Sequence, residues 1–180
     1  MKLGMPYHRQ KTGYTCGPAT ARMVLEYFGL KRTEYQLRRR ARTNTVSGTS
    51  HDSLERLFGS YGFFTYQCQQ ATPDHLDEYV RLGIPVIVNY MQHFDEVNKQ
   101  YGHYAVVVGM TSGGVIIHDP WYGKDRYIDR DEFVHSWYDD MHRGCISRRW
   151  MLVISDQPLD VHTSDENLLS LPKALVSHLE

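Results

Sequence analysis

The hydrophobic pattern of this chain changes its period near residue 84, and that change constrains the fold more than any other feature. Before it, apolar residues recur at helical spacing, as do Ala21, Val24, Leu25 and Phe28. After it, short apolar runs rich in Val and Ile follow one another, which is typical of buried strands. Helices and strands in separate blocks predict an α+β fold with a mainly antiparallel sheet.

Local signals mark the ends of the predicted helices. Thr33 to Gln36 has the pattern of a capping box, Pro is favoured in a first turn, and Gly is favoured just past a helix. We predict helices from Gly17-Pro18 to Gly29, from Thr33 onward, from near Asp52 to Gly62, from Thr72-Pro73 to Gly83, and from about Asp131 to Trp137.

The second half predicts the strands. We expect them at Ile84–Val88, Tyr104–Gly109, Val115–Ile117, Arg126–Ile128 and Trp150–Ile154. The turn sequence Ser112-Gly113-Gly114 should join the second and third of these into a hairpin. The polar and aromatic segment from Tyr90 to Tyr101 is predicted to be a loop that rims a cleft or simply turns the chain.

Length and composition bound the number of domains. A chain of 180 residues suits one compact domain, which we place at residues 1–155. The remainder, residues 156–180, is polar until Leu168, and we expect a short helix or a disordered tail there.

The charge balance argues against a nucleic-acid or membrane partner. The 20 basic residues nearly cancel the 21 acidic ones, and no clustered basic surplus remains. The run Arg38-Arg39-Arg40 with Arg42 is interpreted as a solvated helix face, because no stacking aromatics surround it in sequence. No apolar stretch suits a membrane span or a signal peptide, so we expect a cytoplasmic protein, or a secreted one if a signal was trimmed. The sequence does not give the oligomeric state.

Cysteine and histidine spacing favour neither a disulfide framework nor a metal site. The three cysteines are irregularly spaced and form no CxxC pair, and we interpret Cys68 as a half-buried strand residue and Cys145 as a loop residue. The histidines lack ligand spacing, so we expect no metal and no cofactor. His118 should point to the strand face opposite its neighbour Asp119, toward the surface or behind a site.

Cys16 is the first residue that points to chemistry. It directly precedes Gly17-Pro18 and therefore lies at or just before the start of a helix. The free N–H groups and positive dipole end of a helix favour a thiolate over a thiol. An isolated cysteine of this kind is also compatible with a small buried hydrophobic residue.

His103 and Asp119 supply a candidate base and its partner. His103 lies where the chain enters a Val-rich strand, and Asp119 ends the strand predicted to pair with it. In a hairpin these two ends lie side by side, so the carboxylate would hold the imidazole tautomer and stabilise the imidazolium.

Gln10 completes the candidate set. It lies six residues before Cys16, in a loop running toward the cysteine. Its side-chain amide, together with the backbone N–H of Cys16, could bind the oxyanion of a tetrahedral intermediate.

Together these residues resemble a known family over about residues 5 to 155. The motifs are Pro6-Tyr7-His8-Arg9-Gln10, Tyr14-Thr15-Cys16-Gly17-Pro18-Ala19, Gly102-His103-Tyr104-Ala105-Val106-Val107 and His118-Asp119-Pro120-Trp121. In this order they resemble the C39-like cysteine peptidases, which have a papain-like fold and are related to the peptidase domain of bacteriocin-processing ABC transporters. The resemblance implies that Cys16 is the nucleophile, His103 the base, Asp119 its orienting partner, and Gln10 the oxyanion-hole residue.

The resemblance implies a peptide or protein substrate cleaved through a Cys16 thioester. Two alternatives stay open. An acyl transferase or deamidase would use the same thioester with another acceptor or a side-chain amide. A peptide-binding module would keep the fold without the chemistry, although the presence of both Cys16 and His103 argues against it.

Overall fold

The computed structural model describes residues 1–94, 99–140 and 146–159. The helices are α1 Cys16–Tyr27, α2 Glu34–Arg40, α3 His51–Gly59, α4 Pro73–Arg81 and α5 Arg130–Ser136. The strands are β1 Phe64–Cys68, β2 Val86–Phe94, β3 Lys99–Met110, β4 Gly114–Asp119, β5 Gly123–Asp129, β6 Tyr138–Asp140, β7 Ile146–Arg148 and β8 Met151–Ser155. This order of elements confirms the predicted α+β class.

The main sheet is antiparallel and has the strand order β1-β8-β2-β3-β4-β5. Strand β8, which follows the other strands of this sheet in sequence, inserts between β1 and β2. Strand β8 therefore links β1, which follows the first three helices, to the hairpin of β2 and β3. A second, two-stranded sheet pairs β6 with β7, and neither of these short strands was predicted.

The helix ends follow the predicted signals. Thr33 and Thr72 form capping boxes, and Gly29 and Gly83 have positive φ angles just after α1 and α4. The start of α1 differs from the prediction, because Cys16 itself is the first helical residue and Pro18 is the third.

The core lies where the helical half meets the centre of the sheet. The side chains of Val86, Ile87 and Val88 in β2 and of Ala105 to Val108 in β3 are fully buried, as are Val24 and Leu25 of α1. Full burial of each Val, Leu or Ile side chain contributes about 1.5–3 kcal/mol before the entropy cost of ordering it. The central strands are thus a rigid support for residues at their ends.

The predicted loop from Tyr90 to Tyr101 is wrong for most of its length. Strands β2 and β3 continue beyond the apolar runs, and their backbones pair as far as Phe94 and Lys99. Among the described residues, the far part of β2 pairs in the sheet with β3 and not with β8, so this extension needs no continuous apolar run. Residues 95–98 lie outside the described residues.

The arginine run lies on α2 and just after it, and Arg39, Arg40 and Arg42 are exposed as predicted. The expected absence of stacking aromatics is wrong, because Arg38 and Arg39 lie over the ring of Tyr35 at 6.0 and 5.9 Å. Tyrosines distant in sequence also contribute, so the sequence neighbourhood alone did not reveal them.

Two further expectations cannot be compared with described residues. Cys145 lies outside them, as does the tail from residue 160 onward. Within the described ranges, none of the helices has both the length and the apolarity needed to cross a membrane.

Candidate active site

Cys16 lies in the first turn of α1 and is 8% exposed. The preceding residue, Thr15, turns its hydroxyl to Thr12 rather than capping the helix. A side chain at Gly17 would place a Cβ atom only 2.7 Å from the hydroxyl oxygen of Thr49. Glycine beside Cys16 therefore lets the first turn of α1 pack closely against the Thr49 loop.

The imidazole of His103 and the carboxylate of Asp119 are in contact. His103 Nε2 lies 2.9 Å from Asp119 Oδ1, and both side chains are buried. The pairing of β3 with β4 brings the two residues together, as the hairpin argument predicts. Because Nε2 faces the carboxylate, Nδ1 is the ring nitrogen left to face the thiol.

The thiol and the imidazole perturb each other strongly. Burial by itself would raise the pKa of Cys16, but a hydrogen bond with His103, the positive charge of that ring and backbone N–H groups lower the pKa below its ordinary value. Burial would lower the pKa of His103, whereas hydrogen bonds to Asp119 and Cys16 raise it to about 9. The directions are those of a thiolate–imidazolium pair at neutral pH.

Both oxygens of Asp119 are occupied. Oδ1 accepts from the backbone N–H groups of Trp121 and Tyr122, at 2.7 and 2.9 Å, in addition to its contact with His103. Oδ2 accepts a short hydrogen bond from the Tyr90 hydroxyl and lies 3.4 Å from Arg126 Nη1. Burial opposes ionisation, but these donors hold the pKa of Asp119 well below its usual range.

Gln10 lies between the cysteine loop and the loop after β4. Its backbone N–H donates to the Pro120 carbonyl at 2.9 Å, and its side-chain Nε2 donates to the Thr12 carbonyl at 2.7 Å. The side chain is 6% exposed, and Oε1 has no hydrogen-bond partner among the described residues. The Thr12 bond occupies one of the two N–H groups that an amide carries, which leaves the second for another acceptor.

His118 is buried rather than at the surface. Its Nε2 contacts the Met5 carbonyl at 3.1 Å, and its Nδ1 accepts from the Asp125 N–H at 3.2 Å. Since the N-terminal segment covers this face of β4, the surface alternative is wrong, and His118 anchors that segment instead. Cys68 lies half-buried in β1 as predicted, and burial raises its pKa.

Tyr90 and Arg126 were missed at the sequence level. Strand register places Tyr90 at the site, since Tyr90 on β2 is directly opposite His103 on β3. Arg126 reaches Asp119 from β5. Paired residues of adjacent strands lie on the same face of a sheet. A prediction of β2 extending beyond Val88 would have placed Tyr90 there. Among the described residues, no group of three or more His, Cys, Asp or Glu side chains could hold a metal ion.

Three solved structures of similar fold carry names of peptidase domains or proteases. The peptidase domain of Streptococcus ComA, a bi-functional ABC transporter involved in a quorum sensing pathway, has 24% identity and a TM-score of 0.65 over 87% of this chain and 98% of that chain. A double glycine motif protease from an AMS/PCAT transporter, in complex with the leader peptide, has 21% identity and a TM-score of 0.64 over 85% and 92%. The peptidase domain of Streptococcus mutans ComA has 22% identity and a TM-score of 0.56 over 83% and 98%. At these identities the likeness shows the fold alone.

Sequence comparison identifies the family directly. The search of curated proteins found no match. The model of the Peptidase C39 like family, in contrast, matches residues 2–145, which is well over half of the chain. This chain therefore belongs to the Peptidase C39 like family.

Proposed function

We propose that this protein is a cysteine peptidase with Cys16 as nucleophile, His103 as general base and acid, and Asp119 as the residue that orients His103. One observation carries the proposal. The buried carboxylate of Asp119 contacts the buried imidazole of His103, and that imidazole interacts with the thiol of Cys16. The thiol lies at the start of a helix and has a lowered pKa. This is the set of groups that nucleophilic catalysis by sulfur requires.

The proposed reaction has two stages. The Cys16 thiolate attacks the carbonyl carbon of a peptide bond, and the imidazolium of His103 gives its proton to the leaving amine. A water molecule, deprotonated by His103, then attacks the thioester and releases the acid and the free thiol. Asp119 stays ionised throughout and stabilises the imidazolium.

We assign the oxyanion hole to the side chain of Gln10 and the backbone N–H of Cys16. Gln10 lies six residues before Cys16, and its backbone is fixed by Pro120, next to the Asp119 that contacts His103. Donors fixed before the reaction cost no reorganisation when charge develops on the carbonyl oxygen. The buried position of Gln10 supports this assignment.

The proposed substrate is a peptide segment of a protein or a free peptide. One protein of similar fold was solved with a leader peptide, which supports a peptide ligand for this chain. We assign the activity to residues 1–155, which hold all four site residues, and not to the tail.

A peptide-library cleavage screen tests the proposal. Wild type should cut a subset of peptides, whereas Cys16→Ala and His103→Ala should cut none and Cys68→Ala should cut as wild type does. Transfer of the acyl group to an added amine would show an acyl transferase, and conversion of glutamine to glutamate would show a deamidase. Binding of peptides without any turnover would support the non-catalytic module.

A further inference from the structure

The side of Asp119 that faces away from His103 is held by two residues with no role in the chemistry so far. The hydroxyl of Tyr90, a residue that is 1% exposed, donates to Oδ2. Arg126 Nη1 lies 3.1 Å from the same hydroxyl and 3.4 Å from Oδ2. Phe133 packs beside the Tyr90 ring, and the guanidinium of Arg126 lies over the Tyr122 ring at 4.9 Å.

This arrangement restricts the carboxylate in a specific way. Two backbone N–H groups already hold Oδ1, but without donors on Oδ2 the carboxylate could still pivot about Oδ1 in front of the imidazole. With Oδ2 fixed by Tyr90 and Arg126, Oδ1 stays on His103 Nε2, and the ring keeps Nδ1 toward Cys16. Catalytic groups need neighbours that hold them close to their working geometry through packing and hydrogen bonds.

We propose that Tyr90 and Arg126 are positioning residues that hold Asp119 in its working orientation. The inference rests on the proposed function, since it concerns the same pair of sulfur and imidazole. The effect of Tyr90 and Arg126 reaches the sulfur only through Asp119 and His103.

The test is the pH dependence of Cys16 alkylation by iodoacetamide, read by mass spectrometry, with kcat and KM for a library peptide. Tyr90→Phe and Arg126→Met should move the alkylation midpoint about 0.5 to 1 pH unit higher, as expected for one lost hydrogen bond. kcat should fall about tenfold with little change in KM. Arg126→Lys, which keeps the charge, should recover part of the loss.

Matched controls are Tyr127→Phe, at an exposed tyrosine, and Arg130→Met, at an arginine paired with Asp74. Both should leave the midpoint unchanged. Wild-type midpoints in both Tyr90→Phe and Arg126→Met would overturn the inference. A wild-type Cys16 that reacts no faster than Cys68 would instead overturn the proposed function.

A second, independent observation concerns the surface beside the cysteine loop. Arg38, Arg39, Arg40 and Arg32 lie over tyrosine rings, and Arg38 also donates to the Tyr14 hydroxyl at 2.6 Å. We call this the arginine–tyrosine surface; its members are Arg32, Arg38, Arg39, Arg40, Tyr14, Tyr35 and Tyr61. Within the described residues, none of its arginines forms an ion pair with a carboxylate.

The position of this surface connects it to the site. Tyr14 lies two residues before Cys16, a distance that the backbone spans in at most about 7 Å. Arg40 donates to Ser60 and Arg32 to the Lys31 carbonyl. A guanidinium carries five N–H donors, so Arg38 and Arg39, held on the Tyr35 face, have N–H groups left for a carboxylate. We infer that the arginine–tyrosine surface binds acidic residues of the peptide substrate that flank the bond to be cleaved.

The same peptide library tests this inference. Wild type should enrich Asp and Glu at positions near the cleaved bond, and Arg38→Gln with Arg39→Gln should lose that enrichment. KM for an acidic peptide should rise about two- to fivefold per arginine, as for exposed ion pairs, while its Asn and Gln counterpart is unaffected.

Arg81→Gln, at an arginine already paired with Asp77, is the control. Equal cleavage of acidic and neutral peptides by wild type would overturn the inference while leaving the peptidase intact. Stronger competition by single-stranded DNA than by the acidic peptide would show that the surface binds nucleic acid instead.

Discussion

Two buried histidines of this protein, His103 and His51, differ in their partners and in the direction in which their pKa is shifted. His103, at the end of the central hairpin, contacts a carboxylate, and its pKa is raised to about 9. His51, at the start of α3, stacks on the Trp150 ring at 3.9 Å, and its pKa is lowered to about 4. Its Nε2 has no hydrogen-bond partner among the described residues.

The difference shows what burial does and what a partner does. Removal from water favours the neutral imidazole in both regions. Only in the His103 region do Asp119 and Cys16 reverse that preference, so only there does a positive charge persist at neutral pH. The His51 region uses the same side chain as a flat packing surface.

The substitution with the largest expected effect on the difference between His103 and His51 is Asp119→Asn, which removes the carboxylate charge but keeps the side-chain shape. The pKa of His103 should then fall from its raised value, since only Cys16 still opposes the effect of burial, and a wrong tautomer should face the sulfur. We expect kcat to fall by about 10²- to 10⁴-fold. Steady-state kinetics and a proton NMR titration of His103 measure the two effects.

The matched control is Asp125→Asn, at an exposed carboxylate that pairs with Lys2. It should leave kcat within about twofold, as for an exposed pair. Equal activity of wild type and Asp119→Asn would show that the contact with His103 is not used in catalysis.

A second substitution, at Gln10, keeps the His103 charge and removes the proposed side-chain donor of the oxyanion hole. Gln10→Ala should lower kcat by about 10²- to 10³-fold through loss of an oxyanion donor. The alkylation midpoint of Cys16 should stay unchanged, because the thiolate–imidazolium pair is intact. A changed midpoint with normal kcat would instead assign Gln10 to the packing of the cysteine loop.

His51→Phe tests whether the fold holds the imidazole of His51 in its neutral form. Because the folded-state pKa of His51 is lowered to about 4, the unfolded chain binds a proton that the folded chain does not between about pH 6.5 and 4. Wild type should therefore lose about 2 kcal/mol of unfolding free energy from this residue between pH 7.5 and 5. His51→Phe keeps the stacking and should lose correspondingly less.

Urea unfolding at the two pH values measures this difference. His135→Phe, at an exposed histidine, should show the same pH dependence as wild type. If His51→Phe and wild type lose stability equally between pH 7.5 and 5, His51 is not held neutral by the fold.

The candidate site residues that local sequence patterns mark can be predicted from the sequence. Cys16 is marked by a helix start, His103 by the entry to a strand, and Asp119 by the end of its hairpin partner. These are short-range patterns, and the structure brings the last two residues into contact.

The remaining features depend on long-range register and on side-chain conformation. Tyr90 gains its place from pairing across β2 and β3, and Arg126 reaches Asp119 from β5. Tyr61 and Tyr14 meet arginines of the α2 region that are 20 or more positions away in sequence. No local pattern distinguishes these residues from ordinary surface or core positions.

The most direct test of the account is the rate of Cys16 alkylation as a function of pH in wild type and in His103→Ala. We expect a wild-type midpoint below the pKa of about 8.5 of an ordinary thiol, and a return to that value or higher without His103. Identical midpoints in the two proteins, at or above the ordinary thiol value, would contradict it.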